Sequence, residues 1–148
     1  MNCLDPDSNY ALFMEITRLH YLNTRVAFHK LGVYPGQPRL LFNLYKSDGV
    51  SQTELAKSLK MAPPTVNVML KRMEKAGMIR KEQDKNDQRV THVYITDYGR
   101  KICDGVYNET ITIDDIMFGE FSDEESDALN GFLMNIRDNL KDSMDSLR

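Results

Sequence analysis

A chain of 148 residues, 41% hydrophobic and 28% charged, has the size and composition of one soluble domain built on a single core. No run approaches the roughly 18 apolar residues that a membrane-spanning helix needs, and Met1-Asn2-Cys3-Leu4-Asp5-Pro6-Asp7 lacks the basic start and apolar centre of an export signal, so a cytoplasmic protein without membrane contact is expected. The net charge of −3 conceals a segregation, because residues 57–89 carry nine basic against four acidic side chains and residues 104–148 carry three against twelve.

In chain order, Leu12, Ile16, Leu19 and Val26, with Phe13 and Ala27 beside them, recur at helical period over residues 8–31, and Gly32 closes a long first helix. Val33-Tyr34-Pro35-Gly36 is a turn. Pro38 sits where the opening of a second helix tolerates it, ahead of Leu40, Leu41 and Leu44, and Asp48-Gly49 breaks the chain. Ser51-Gln52-Thr53-Glu54 is a capping box with Val50 placed to pack on Leu55, so a short third helix starts at Ser51. Lys60-Met61 interrupts it. Pro63 and Pro64 open a fourth helix that runs to Ala76 and stops at Gly77. Val66, Met69, Leu70 and Met73 form its inward stripe, which leaves Thr65, Asn67, Val68, Lys71, Arg72 and Lys75 pointing elsewhere.

Residues 78–83 and 89–95 read as two strands joined by the polar loop Asp84-Lys85-Asn86-Asp87-Gln88, a β-hairpin. Thr96-Asp97 caps a fifth helix carrying Ile102, Val106, Ile113 and Met117; Gly105 and the β-branched run over residues 110–113 lower its propensity and favour a bend. Ser122-Asp123-Glu124-Glu125 is a second capping box, and Leu129, Phe132, Leu133, Ile136, Leu140, Met144 and Leu147 stripe the last helix. The fold class is mainly α with a small β-hairpin wing, a winged helix-turn-helix with additional N- and C-terminal helices.

Two helices joined by a tight turn and followed by a hairpin suit the reading of duplex DNA, because the second helix fits a major groove and its N-terminal residues meet base edges. The candidate DNA-binding residues are Ser51, Gln52, Pro64, Thr65, Asn67, Val68, Lys71, Arg72, Lys75 and Arg89. Thr65 and Asn67 are donors and acceptors for bases, Val68 suits a thymine methyl, and Lys71 and Arg72 reach phosphates. Ser51 and Gln52 contact backbone through hydroxyl, amide and helix N-terminus. Arg89, at the hairpin tip, suits a narrow minor groove. Asp84 and Asp87 support the wing, with Asp87 expected to accept from Arg89 and fix its guanidinium. Taken singly, each of these residues also reads as solvated surface, and the local positive charge as an ordinary charged face.

Gly36-Gln37-Pro38-Arg39-Leu40-Leu41, Ser51-Gln52-Thr53-Glu54-Leu55-Ala56, Thr65-Val66 with Leu70-Lys71-Arg72-Met73-Glu74-Lys75-Ala76-Gly77-Met78-Ile79-Arg80, Asp84-x-x-Asp87-x-Arg89, and Tyr94-Ile95-Thr96-x-x-Gly99-Arg100 together resemble the MarR family of transcription regulators. The resemblance extends over residues 10–145. It implies one MarR-like domain over residues 1–148, with dimerisation helices at 8–34 and 97–148 and a winged lobe at 36–96. It also implies a homodimer whose first, fifth and sixth helices interlock and whose two lobes read a near-palindromic operator. The long apolar first and last helices independently exceed what a small winged lobe needs for its own core, although both can also pack back on that lobe.

The family responds to small phenolic or anionic ligands, to thiol oxidation or to metals. His20, His29 and His92 lie on different elements without a ligand cluster, so no metal and no cofactor is expected. Cys3 stands beside Asp5 and Asp7, and Cys103 in an apolar helical setting, neither of which favours a reactive thiolate. A cleft where His20 and Arg39 meet an acidic ligand is the remaining expectation; the competing one is that Arg39 lies along its helix with no ligand. Phosphate-binding glycine loops, nucleophile elbows and zincin helices are absent from the sequence, so no enzyme is expected. The alternative function is a winged-helix protein–protein module without sequence-specific DNA binding.

Overall fold

The computed structural model describes residues 5–147. Six helices and three short strands follow in the order α1 (Asn9–Lys30), α2 (Gln37–Lys46), β1 (Val50–Ser51), α3 (Gln52–Leu59), α4 (Pro63–Lys75), β2 (Ile79–Gln83), β3 (Thr91–Ile95), α5 (Asp97–Phe118) and α6 (Asp123–Asp145). The chain divides into two compact units, one running up to Thr110 and the other starting at Ile111.

Local chemistry starts the helices where the sequence places them. Ser8 Oγ accepts from the Ala11 amide at 3.2 Å. In the box opening α3, Ser51 Oγ accepts from the Glu54 amide at 3.2 Å and Glu54 Oε2 accepts from the Ser51 amide at 3.0 Å. The box opening α6 repeats this with Ser122 and Glu125 at 3.3 and 2.9 Å. Each pair satisfies donors that a helix start otherwise leaves orphaned.

The core of the first unit gathers Leu40, Leu41 and Leu44 of α2, Leu55 and Leu59 of α3, Val66, Leu70 and Met73 of α4, Val93 of β3 and Val106 of α5. Complete burial of such a side chain contributes about 1.5–3 kcal/mol, so these residues fix α3 and α4 against the sheet. The sheet is antiparallel with order β1-β3-β2. The third strand, β1, was not expected. It is only two residues long, too short for any alternation to register, and it exists because Val50 pairs with Val93 and Ser51 with His92. The second hairpin strand starts at Thr91 rather than Arg89, since the Val90 amide turns back to the Asp87 carbonyl at 2.9 Å.

The start of α5 is locked to the start of β2. The Thr96 amide donates to the Met78 carbonyl at 3.1 Å, Thr96 Oγ1 donates to the Gly77 carbonyl at 2.6 Å, and the same oxygen accepts from the Gly99 amide at 3.0 Å. A β-carbon at Gly99 would lie 2.0 Å from the Met78 carbonyl oxygen, so this approach requires glycine. The helix then continues through the β-branched run without interruption, with Thr110 Oγ1 donating to the Val106 carbonyl at 2.8 Å. In the second unit, α6 buries none of its residues.

Candidate nucleic-acid interface

The turn between α3 and α4 is closed by Lys60 in the left-handed conformation, φ 52°, with its amide on the Ala56 and Lys57 carbonyls. Pro63 and Pro64 then occupy the first positions of α4, where their missing N–H groups leave nothing unsatisfied. The Thr65 and Val66 amides both turn back to the Ala62 carbonyl, at 3.0 and 3.2 Å. The tip of α4 is therefore poor in free amides, and an anion there has to be met by side chains.

Burial of Val66, Leu70 and Met73 rotates the rest of α4 outward. Pro64, Thr65, Asn67, Lys71, Arg72 and Lys75 are all exposed, and Val68 is 52% exposed. An apolar side chain held in water between amide and cationic neighbours suits a thymine methyl beside base edges and phosphates. At the neighbouring helix start, Ser51 is engaged in its capping box. Its hydroxyl donates to Glu54 Oε2 at 2.8 Å, and its amide also goes to that carboxylate, so the cap consumes both groups. The Ser51 bonds hold the Glu54 carboxyl below the usual carboxylate range, so it stays charged there. Gln52, partly exposed, keeps its side chain available.

The wing is shaped by carboxylates acting on backbone. Asp84 Oδ1 accepts from the Asn86 and Asp87 amides at 2.8 and 3.0 Å, and Asp87 Oδ1 accepts from the Arg89 amide at 2.9 Å. Asp87 thus binds the main chain of Arg89 and not its guanidinium, a correction that follows from two-residue spacing: the carboxylate reaches an amide two positions on more readily than a long flexible side chain. Among the described residues no carboxylate pairs with the Arg89 guanidinium, which is exposed at the tip.

Three supporting groups escaped sequence reasoning. His92 bridges the Gly49 carbonyl (Nδ1, 2.9 Å) and Asp84 Oδ2 (Nε2, 3.0 Å). Asp48 Oδ1 accepts from the Gly49 and Ile95 amides at 3.1 and 2.9 Å, while its Oδ2 pairs with Arg100 Nη2 at 2.8 Å, tying β1, β3 and α5 together. Arg80 pairs with Glu82 and lies over the Tyr94 ring, 4.3 Å from its centroid. Most of their partners are distant in sequence: Gly49 lies 43 positions from His92, and Ile95 and Arg100 lie 47 and 52 from Asp48.

The expected ligand residues are not brought together. Arg39 Nη2 donates to the Leu59 carbonyl at 3.2 Å, and His20 is exposed on α1. A cavity of about 200 Å³ lies instead between α1 and the turn entering α2, lined by Tyr21, Thr24, Arg25, Phe28, Pro35 and Pro38 among others. Neither His20 nor Arg39 lines it. Cys103 is buried at 2% exposure, which pushes its thiol pKa up, and Cys3 lies outside the described residues. Among the described residues no three His, Cys, Asp or Glu side chains are grouped to hold a metal, and no helix is long and apolar enough to cross a membrane.

Comparison with known proteins agrees with this geometry. The family description "MarR family" matches residues 33–91, the stretch from the α2 turn to the start of β3. The HTH-type transcriptional regulator YybA of Bacillus subtilis is 24% identical over 118 residues, covering 80% of this chain and 79% of that protein. The regulator YdgJ of the same organism is 30% identical over 109 residues, covering 74% of this chain and 66% of that protein. The structure of the S. aureus MepR–DNA complex superposes with a TM-score of 0.72 at 21% identity, over 92% of this chain and 99% of that one. With a wing, an outward α4 and these relatives in agreement, the chain belongs to the MarR family of winged helix-turn-helix transcription regulators.

Proposed function

We propose that this regulator binds duplex DNA as a homodimer, laying α4 of each copy in a major groove of a near-palindromic, inverted-repeat operator, and that it represses the transcription it overlaps. The observation that carries this reading is the outward face of α4, where Asn67 and Val68 stand exposed with Lys71, Arg72 and Lys75 while Val66, Leu70 and Met73 are buried. The MepR neighbour in complex with DNA supports it. The wing adds a cation at its tip, and residues 84–89 are wholly polar, which disfavours a protein-docking hairpin. Binding and not catalysis is the function assigned.

The dimer is supported by apolar surface that a solitary chain leaves in water. On α1, Ile16 and Val26 are 51% and 61% exposed; on α6, Phe132, Leu140 and Met144 are 65%, 59% and 62% exposed. Stripes of this kind mark interaction surfaces. For the inducer, a small anionic or phenolic compound suits the cavity beside α1, where Arg25 supplies charge and Tyr21 and Phe28 supply ring surface.

A gel-shift titration on the DNA flanking its own gene tests the proposal. If each lobe neutralises a few phosphates, affinity falls by roughly a thousandfold between about 50 and about 200 mM salt, and scrambled duplex competes poorly. Binding indifferent to sequence overturns the operator reading.

A further inference from the structure

His92 stands on the central strand with both ring nitrogens against acceptors. Nδ1 faces the Gly49 carbonyl at 2.9 Å and Nε2 faces Asp84 Oδ2 at 3.0 Å. A carbonyl has no proton to give. The Asp84 carboxylate has none while ionised, and it is held below the usual carboxylate range by the Asn86 amide first, then by His92 and the Asp87 amide. Neutral imidazole carries a single N–H, so only the imidazolium satisfies both contacts at once. We propose that His92 is a proton-binding site that latches the wing to the entrance of α3, holding the wing tip in its DNA-competent shape while protonated and loosening it when the proton leaves for solvent. The functional half of this inference rests on the DNA-binding reading above; the latch itself does not.

The connectivity gives the latch its reach. Gly49 leads through β1 into the Ser51 cap of α3, and Asp84 nucleates the turn from which Asp87 sets the Arg89 amide. One ring therefore joins two backbone segments that nothing else on this face of β3 bridges among the described side-chain hydrogen bonds. The charged groups around it are Asp84 from the loop, Glu54 from α3, and Glu82, its cross-strand neighbour on β2, which is paired with Arg80; Lys57 lies near Glu54. The carboxylates favour the imidazolium. The side chain is 27% exposed, so the proton exchanges with solvent without unfolding.

The Asp84 hydrogen bond, then the Gly49 carbonyl, raise the His92 pKa above its ordinary value against a smaller opposing effect of burial. With the folded-state pKa above the unfolded one, the stabilisation is complete below the unfolded value and is lost as pH rises through the folded value. The transition therefore falls on the alkaline side of the ordinary histidine range, within reach of physiological pH.

The test uses the full chain and its His92→Gln and Asp84→Asn variants. Ring NMR follows His92 titration, and amide-exchange protection of Asn86 and Asp87 is measured at about pH 6 and about pH 8. Anisotropy with a duplex from the DNA flanking its own gene is recorded at the same pH values and constant ionic strength. In the unsubstituted chain we expect a His92 midpoint above the ordinary value, tip-amide protection that drops several-fold at the higher pH, and duplex binding several-fold tighter at the lower. Asp84→Asn lowers the midpoint, and His92→Gln removes the pH difference in protection and most of it in binding. A midpoint at or below the ordinary value, tip protection unaffected by pH and substitution, or an undiminished pH difference in binding by His92→Gln overturns the latch. A duplex bound at neither pH overturns the DNA-binding reading instead, and the NMR and exchange results still decide the latch.

Discussion

Asn67 and Arg89 occupy different positions on the same surface, and their substitution should separate two kinds of contact. Asn67 projects from the first turns of α4 among exposed neighbours, so its amide suits a base edge, whereas Arg89 is an exposed cation at the wing tip. Asn67→Ala is expected to cost about 1–3 kcal/mol at one base step, and Arg89→Ala to weaken matched and scrambled duplexes alike. Dissociation constants on a matched duplex and single-step variants check this; equal losses on both duplexes from both changes would sink the division. The outward placement of Asn67 was legible from helical period alone, because three buried positions on α4, with partly buried Met69 beside them, determine where the others point. The role of His92 was not legible, since Gly49 lies 43 positions away and no periodicity links them.

At the scale of elements, the junction of α4, β2 and α5 is the most constrained piece of backbone. Gly99 sits so close to the Met78 carbonyl that a single added carbon has nowhere to go, and the obstacle is main chain, not a movable side-chain end. Gly99→Ala is expected to destabilise the fold by about 3 kcal/mol, at the upper end of overpacking costs, which a urea unfolding midpoint measures; an unchanged midpoint would mean that α5 docks differently. Helix starts were readable because capping is local: Ser51 with Glu54 and Ser122 with Glu125 lie three residues apart. β1 was unreadable for the opposite reason, since two residues become a strand only when Val93 and His92 arrive beside them. The same locality places Ser51 in its cap, where the hydroxyl both donates to Glu54 Oε2 and accepts from the Glu54 amide.

For the whole molecule, the proposed dimer makes a mass prediction. The chain should sediment at twice its 17.1 kDa, and Phe132→Glu with Leu140→Glu should return it to one chain while leaving far-ultraviolet circular dichroism largely intact, because both side chains are already exposed. A mass of one chain for the unsubstituted protein at micromolar concentration would overturn the assembly. The order of helices, the hairpin, the buried stripe of α4 and the family itself were determined by sequence, because capping, proline placement and hydrophobic period act over three or four residues at a time. The third strand, the carboxylates that build the wing through backbone amides, the cavity beside Arg25 in place of one at His20 and Arg39, and the bridge through His92 were decided by tertiary structure alone. Each depends on groups brought together across a turn or a sheet, and a contact made by folding leaves no periodic mark on the chain that makes it.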